Sequence, residues 1–319
     1  MLLRFPDVPL PKPHYESVYC TLTHPTEARA LWIRTTVQKR PGASATGALW
    51  VTWFGDAGVR AAKLNDLPVA PGGHGIECGP ATQGPAGSRG ELGLDGLGAR
   101  WDLTFTSRSG PLDHLRPAAL YRAPLPRTKA TSPVPDLEVG GTLIVDDEQV
   151  DLSGWTGMLG HNWGTQHAEQ WIWLRVPGLG EDGLGWLDAV LGRVRVGPVL
   201  APWTAFGALE VDGTRHHLGG LLDRRTSVEL EPDGAAIHLA GKAIEVGVRA
   251  ILSPPTTVGW EYADPAGHRH EVVNSSVATM SATITRGAGR VTYEPSRRGV
   301  LEIGGEARAV DVPLQPYPD

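Results

Sequence analysis

Gly160-His161-Asn162-Trp163-Gly164 runs straight into Thr165-Gln166-His167-Ala168-Glu169-Gln170-Trp171-Ile172-Trp173-Leu174-Arg175, and after a short turn comes Gly185-Trp186-Leu187-Asp188. Two histidines, four tryptophans and one buried-type carboxylate fall within this stretch. Read with the period of two that a strand imposes, Trp171, Trp173 and Arg175 share one face. Leu184, Trp186, Asp188 and Val190 share one face of the next strand. An acid thus stands in an aromatic wall. Burying a carboxylate without a partner is costly, so the pattern asks either for a structural hydrogen bond or for a chemical use.

Outside this stretch the chain reads as short strands and turns. Its 319 residues suffice for one large β domain or two domains, and either buries a full core. With Gly 41 and Pro 27, and no long 3.6-residue apolar period, the composition opposes a helical protein. Strand-like runs lie at 28–37, 46–54, 59–64, 75–78, 90–94 and 99–106, then at 138–145, 205–211, 216–222, 227–231, 236–239, 244–253, 271–285, 289–293 and 300–303. Residues 112–125 suggest a short helix broken by Pro117. The segment 124–136, with four prolines, reads as a linker. The expected division is therefore an N-terminal β domain at 1–125, a linker at 126–136 and a C-terminal β domain at 137–319 carrying the His161-Asn162-Trp163-Gly164 motif. Thr46-Gly47-Ala48-Leu49-Trp50 and Phe206-Gly207-Ala208-Leu209-Glu210 are a weak echo between the halves.

Several classes are excluded or set aside. A net charge of −6, with no basic run, argues against nucleic acid as a partner. Residues 70–90 are glycine-rich but lack the spacing of a phosphate loop. GxSxG is absent, which sets aside a serine hydrolase of the nucleophile-elbow type. Cys20 and Cys78, the only cysteines, read as buried thiols. No HExxH or spaced Cys/His framework occurs, so no metal is expected, although three ligands assembled from distant strands remain an alternative. Pro6, Pro9, Pro11 and Pro13 interrupt the apolar run a signal peptide needs, and no stretch reaches the length of a membrane span. A soluble cytoplasmic protein, monomer or homodimer, with at most transient membrane contact, is the expectation.

The His161-Asn162-Trp163-Gly164 run, the strand with Trp171 and Trp173, and the following Trp186 and Asp188 resemble the family of carotenoid 1,2-hydratases (hydroxyneurosporene synthases), tocopherol cyclases and AttH-like lipocalin-type proteins. The resemblance is specific over 153–191. It implies an all-β fold of two lipocalin-like antiparallel barrel or sandwich domains, with a ligand cavity in the N-terminal part or near the domain junction. It also implies cofactor-free chemistry on an isoprenoid or polyene-type hydrophobic molecule: an acid protonates an alkene, and water or an internal nucleophile captures the cation. Some fungal relatives are pericyclases. Asp188 matches the proposed proton donor, and His161 and Trp163 match the motif. Trp186 stands where those hydratases more often have tyrosine, which removes one hydrogen-bonding hydroxyl.

Each candidate has two readings. Asp188 is a general acid kept protonated by apolar surroundings, or a strut locked to Arg175 or His161. His161 tunes that acid, or caps a tight turn between Gly160 and Gly164. Trp163, Trp171, Trp173 and Trp186 stabilise a cation through their ring faces, or form ordinary core. Trp32, Arg34, Trp50, Trp53 and Trp101 in the first half, with Arg175 in the second, are candidates for ligand contact, and Tyr15 and Tyr19 are further scattered aromatics of the first half. An inward Arg34 would meet the carboxylate or carbonyl end of an apolar ligand. A hydrophobic-ligand carrier without chemistry, and an interaction protein whose tryptophans are only core, are the competing readings.

Overall fold

The strands expected from the sequence form antiparallel ladders, because tight turns such as Asp212-Gly213, both at positive φ, join neighbours directly. A computed structural model describes residues 1–73, 75–94, 96–305 and 310–317. In its first half lie β1 (His14–Thr23), β2 (Ala30–Lys39), β3 (Thr46–Gly55), β4 (Gly58–Leu67), β5 (Val69–Gly72), β6 (Gly75–Cys78), β7 (Ala81–Gly84), β8 (Gly87–Leu94) and β9 (Leu97–Ser107). β10 (Leu112–Asp113), β11 (Thr128–Val145), β12 (Glu148–Val150) and β13 (Thr156–Gly164) follow. The second half contains β14 (Gln170–Leu179), β15 (Gly185–Arg193), β16 (Arg195–Val196), β17 (Val199–Leu200), β18 (Thr204–Val211) and β19 (Thr214–Gly219). It ends with β20 (Ser227–Glu231), β21 (Gly234–Ala240), β22 (Glu245–Ile251), β23 (Val258–Ala263), β24 (Arg269–Arg286) and β25 (Gly289–Gly305).

A 13-stranded sheet runs β4-β3-β2-β1-β13-β11-β9-β8-β7-β6-β5, with β10 and β12 also paired to β11, and a 10-stranded sheet runs β19-β18-β15-β14-β25-β24-β22-β21-β20, with β23 also paired to β24. Each half pairs its first long strand with its last, β1 with β13 and β14 with β25. The molecule is therefore two lipocalin-like antiparallel β domains, the first a nearly closed barrel and the second a half-barrel, in keeping with the resemblance. The sequence echo falls on β3 and β18, which are each second in their respective paths.

Two expectations are corrected. The proline-rich 124–136 is no free linker, since residues from Thr128 onward belong to β11 in the middle of the first sheet. Register shifts at 131–134 and 134–137 accommodate Pro133 and Pro135, whose missing N–H groups a bulge tolerates. The first sheet consequently extends to Gly164 and holds the His161-Asn162-Trp163-Gly164 motif, which had been expected in the C-terminal domain. The helix expected around 112–125 reduces to β10 and a 3-10 turn at Ala118–Tyr121, because Pro111, Pro117 and Pro124 leave too little room between them. No α-helix occurs among the described residues.

Alternation along the strands separates two environments. Val18, Cys20, Ile33, Leu49, Val51 and Trp101 fill the first barrel. Ile172, Leu174, Leu187, Leu209, Leu301 and Ile303 fill the second. The opposite faces meet. Trp32, Trp50 and Phe54 from the first barrel pack against Trp260 and Tyr262 from the second in one buried cluster. The outer faces of β1, β2, β3 and β13 thus oppose those of β14, β15, β23 and β25.

Candidate functional site

Only part of the aromatic wall read from the sequence, Trp171 and Trp173, lines this junction. Trp171 and Trp173 on β14 and Val190 on β15 border a cavity of about 360 Å³. From the first barrel come Tyr19, Trp32, Arg34 and Asn162; His167 enters from the crossing between sheets, Tyr262 from β23 and Glu302 from β25. Leu115, Leu125, Phe206 and Leu221 close the apolar end. Of the residues singled out in the sequence, Tyr19, Trp32, Arg34, Trp171 and Trp173 border this space.

Others are elsewhere. Trp53 stacks on Trp155, and Trp101 donates its indole N–H to Ser88 at 2.9 Å, both within the first barrel. Trp50 lies in the interface cluster, its N–H bonded to Thr36 at 3.0 Å. Trp186 packs with Leu112 and Ala208. Arg175 is buried at the other end of the junction, donating to the Pro135 and Gly157 carbonyls and to Asp136.

His161 and Asp188 are not partners. On β13 the even-numbered residues Met158, Gly160 and Asn162 face the junction, so His161 and Trp163 face the other way. His161 Nε2 lies 2.6 Å from Glu16 Oε1, and Trp163 stacks on His161 under the Arg4 guanidinium. Glu16 is wholly buried and also accepts the backbone N–H groups of Arg4 and Phe5. Burial alone would raise its carboxyl, but the bonds from His14 and His161 outweigh it and bring it down to about 2. Nor do Gly160 and Gly164 make a tight turn, since both lie in a strand. A Cβ on Gly160 would collide with the Tyr19 ring and one on Gly164 with the Arg127 carbonyl, so the glycines permit close approach.

Asp188 is wholly buried and does not border the cavity. It accepts the Ser132 hydroxyl at 2.6 Å and the Trp173 indole N–H at 3.0 Å, and His114 Nε2 lies 3.3 Å away. Burial pushes this carboxyl up; the His114 ring, the Ser132 hydrogen bond and the Arg175 charge together push it further down, below the ordinary carboxylate range. The group is an ionised tie between barrels, set behind Trp173. Trp173 in turn meets the Tyr19 ring edge-on at 5.0 Å.

The titratable groups on the wall are ones the sequence did not single out as catalytic. His167 donates its backbone N–H to Asp264 Oδ1 at 2.8 Å, and its Nδ1 lies 2.7 Å from the same oxygen. His270 Nε2 lies 3.0 Å from Asp264 Oδ2. Tyr15 stacks on the His167 ring at 4.4 Å. Burial lowers the pKa of His167, and the nearby Arg34 and His270 add to this against the pull of Asp264. The shift favours the neutral imidazole, oriented through Nδ1 toward Asp264. His167, Asp264 and His270 also form the metal-type cluster of the described residues, their ligand atoms within 4.8 Å of one another. Ligands of a tetrahedral zinc stand about 3.3 Å apart, so this bridge would have to contract to hold one. His167 was visible in the sequence next to the motif, whereas Asp264, Tyr262 and Glu302 lie far along the chain without any motif.

No protein-family model and no curated protein matches the chain. Solved structures do match. CghA, in its complex with Sch210972, is 13% identical with a TM-score of 0.59, over 92% of this chain and 88% of that one. Kievitone hydratase from Nectria haematococca is 10% identical with a TM-score of 0.50, over 91% and 89%. An AttH-like protein from Nitrosomonas europaea is 15% identical with a TM-score of 0.49, over 92% of each chain. At such identities the likeness is one of fold. No helix among the described residues is long and apolar enough to cross a membrane.

Proposed function

We propose that this chain takes a hydrophobic small molecule of polyene or isoprenoid type into the junction cavity and transforms it by proton transfer, as a hydratase, cyclase or isomerase that needs no nucleotide or metal. The observation that carries this reading is His167, a neutral imidazole oriented by Asp264 on the wall of an aromatic cavity. A structural neighbour that is a hydratase supports it by analogy of fold alone. The sequence points to Asp188 as an acid for an isolated alkene. With that carboxylate ionised behind Trp173, the group placed to act is His167. A neutral imidazole is a base of moderate strength, so the substrate it suits is a polyene conjugated to a carbonyl: it takes a proton from water or from an internal hydroxyl as that oxygen adds to the β-carbon, for hydration or cyclisation, or from the carbon γ to the carbonyl, for double-bond migration.

Extraction of the purified protein into organic solvent, followed by mass spectrometry, identifies the bound molecule. With that molecule as substrate, His167→Asn is expected to lower turnover by about 10²–10⁴-fold while leaving affinity nearly unchanged, and chelation with EDTA to leave turnover intact. Loss of activity on chelation would instead assign the His167-Asp264-His270 cluster to a metal. Full activity in His167→Asn, with altered products on replacing Trp173, would favour cycloaddition by shape. Binding without any turnover would leave a carrier, the reading favoured by Asp188 facing away from the ligand.

A further inference from the structure

Arg34 is 5% exposed and borders the cavity. Its Nε donates to Ser17 Oγ at 2.8 Å, and no carboxylate among the described residues reaches it. Aromatic faces surround it instead, with the Tyr262 ring centre 4.0 Å from its Cζ, Trp50 at 5.2 Å and Trp32 at 5.9 Å. The acid on the same wall is engaged elsewhere, since Glu302 accepts the Tyr262 hydroxyl at 2.8 Å, the Trp171 indole at 3.0 Å and the Asn274 amide at 3.3 Å. A guanidinium withdrawn from water needs compensation that ring faces supply only in part. Its fork of N–H groups fits a pair of anionic oxygens.

We propose that Arg34 holds the acidic headgroup of the ligand, a carboxylate or an enolate, with the apolar body of that molecule lying toward Trp173, Phe206 and Leu221. This rests on the cavity being the ligand site, and it makes the ligand an anionic amphiphile rather than a plain hydrocarbon.

Parinaric acid, a fluorescent polyene, tests it together with its methyl ester and its alcohol. The acid is expected to bind at least about tenfold more tightly than either neutral form near pH 8, and Arg34→Met to bring the acid down to the level of the ester without weakening the ester. Arg34→Lys should keep part of the preference. Equal binding of acid and ester to the unaltered chain overturns the role of Arg34 and leaves the cavity reading standing. No binding of any of the three removes the cavity reading and this proposal with it. The comparison of headgroups on the unaltered chain decides the matter even if Arg34→Met does not fold.

Discussion

Asp188 has both its oxygens committed: Oδ2 takes a hydrogen bond from β11, and Oδ1 one from its own sheet. Replacing it with Asn puts an amide N–H₂ against one of these two donors. The variant is therefore expected to lose about 1–3 kcal/mol of stability, read as a lower urea midpoint, and to free the Trp173 ring. Unchanged stability with abolished turnover would return the proton-donor role to Asp188. Glu16 gives a second expectation. Its carboxyl is lower when folded, about 2 against an ordinary 4.5, so its contribution is complete above pH 4.5 and disappears as pH falls toward 2. That contribution is on the order of 3 kcal/mol, and in Glu16→Gln the urea midpoint should change less across this window. The alternation of Trp171, Trp173 and Asp188 was legible because a strand imposes it. Which space that face borders was not legible, since a barrel exterior buried by a second barrel has the same pattern as a barrel interior.

Two strands decide how the barrels meet. On β13, Gly160 lets Tyr19 lie flat across the backbone and reach the cavity. Gly160→Ala is expected to displace that ring, costing about 1–3 kcal/mol, and to weaken ligand binding while far-UV circular dichroism stays unchanged. An unaltered affinity would show that Tyr19 does not shape the pocket. On β11 the two bulges present Ser132 to Asp188 and Asp136 to Arg175. The prolines that made this segment read as a linker mark the places where the strand leaves its ladder to cross-link the sheets. Local composition registers the interruption but not the strand on either side of it. β1 escaped the sequence reading for a related reason, because it is buried at all ten positions and shows no polar alternation.

Over the whole molecule the two barrels share one apolar boundary, in which Trp32, Trp50, Phe54 and Trp260 are fully buried. They are expected to unfold together, with tryptophan fluorescence and far-UV circular dichroism giving one urea midpoint. Trp260→Ala should cost about 3–5 kcal/mol and split that single transition in two. Two midpoints in the unaltered chain would show that the boundary does not couple the halves. Fold class was readable from many short strands and turns, and the two-barrel plan from the motif resemblance. The site needed three dimensions, because Arg34, His167 and Glu302 come from segments far apart in sequence and border one cavity only where the two sheets meet.

The pairing of the first strand with the last in the N-terminal half bears on synthesis. β1 leaves the ribosome roughly 140 residues before its partner β13. At bacterial or eukaryotic elongation rates that interval lasts roughly 7–30 seconds, during which one edge of a strand that is buried throughout in the native fold has no native neighbour. Nascent chains of this protein should accordingly depend on holding chaperones until Gly164 has emerged, and the second barrel repeats the wait between β14 and β25.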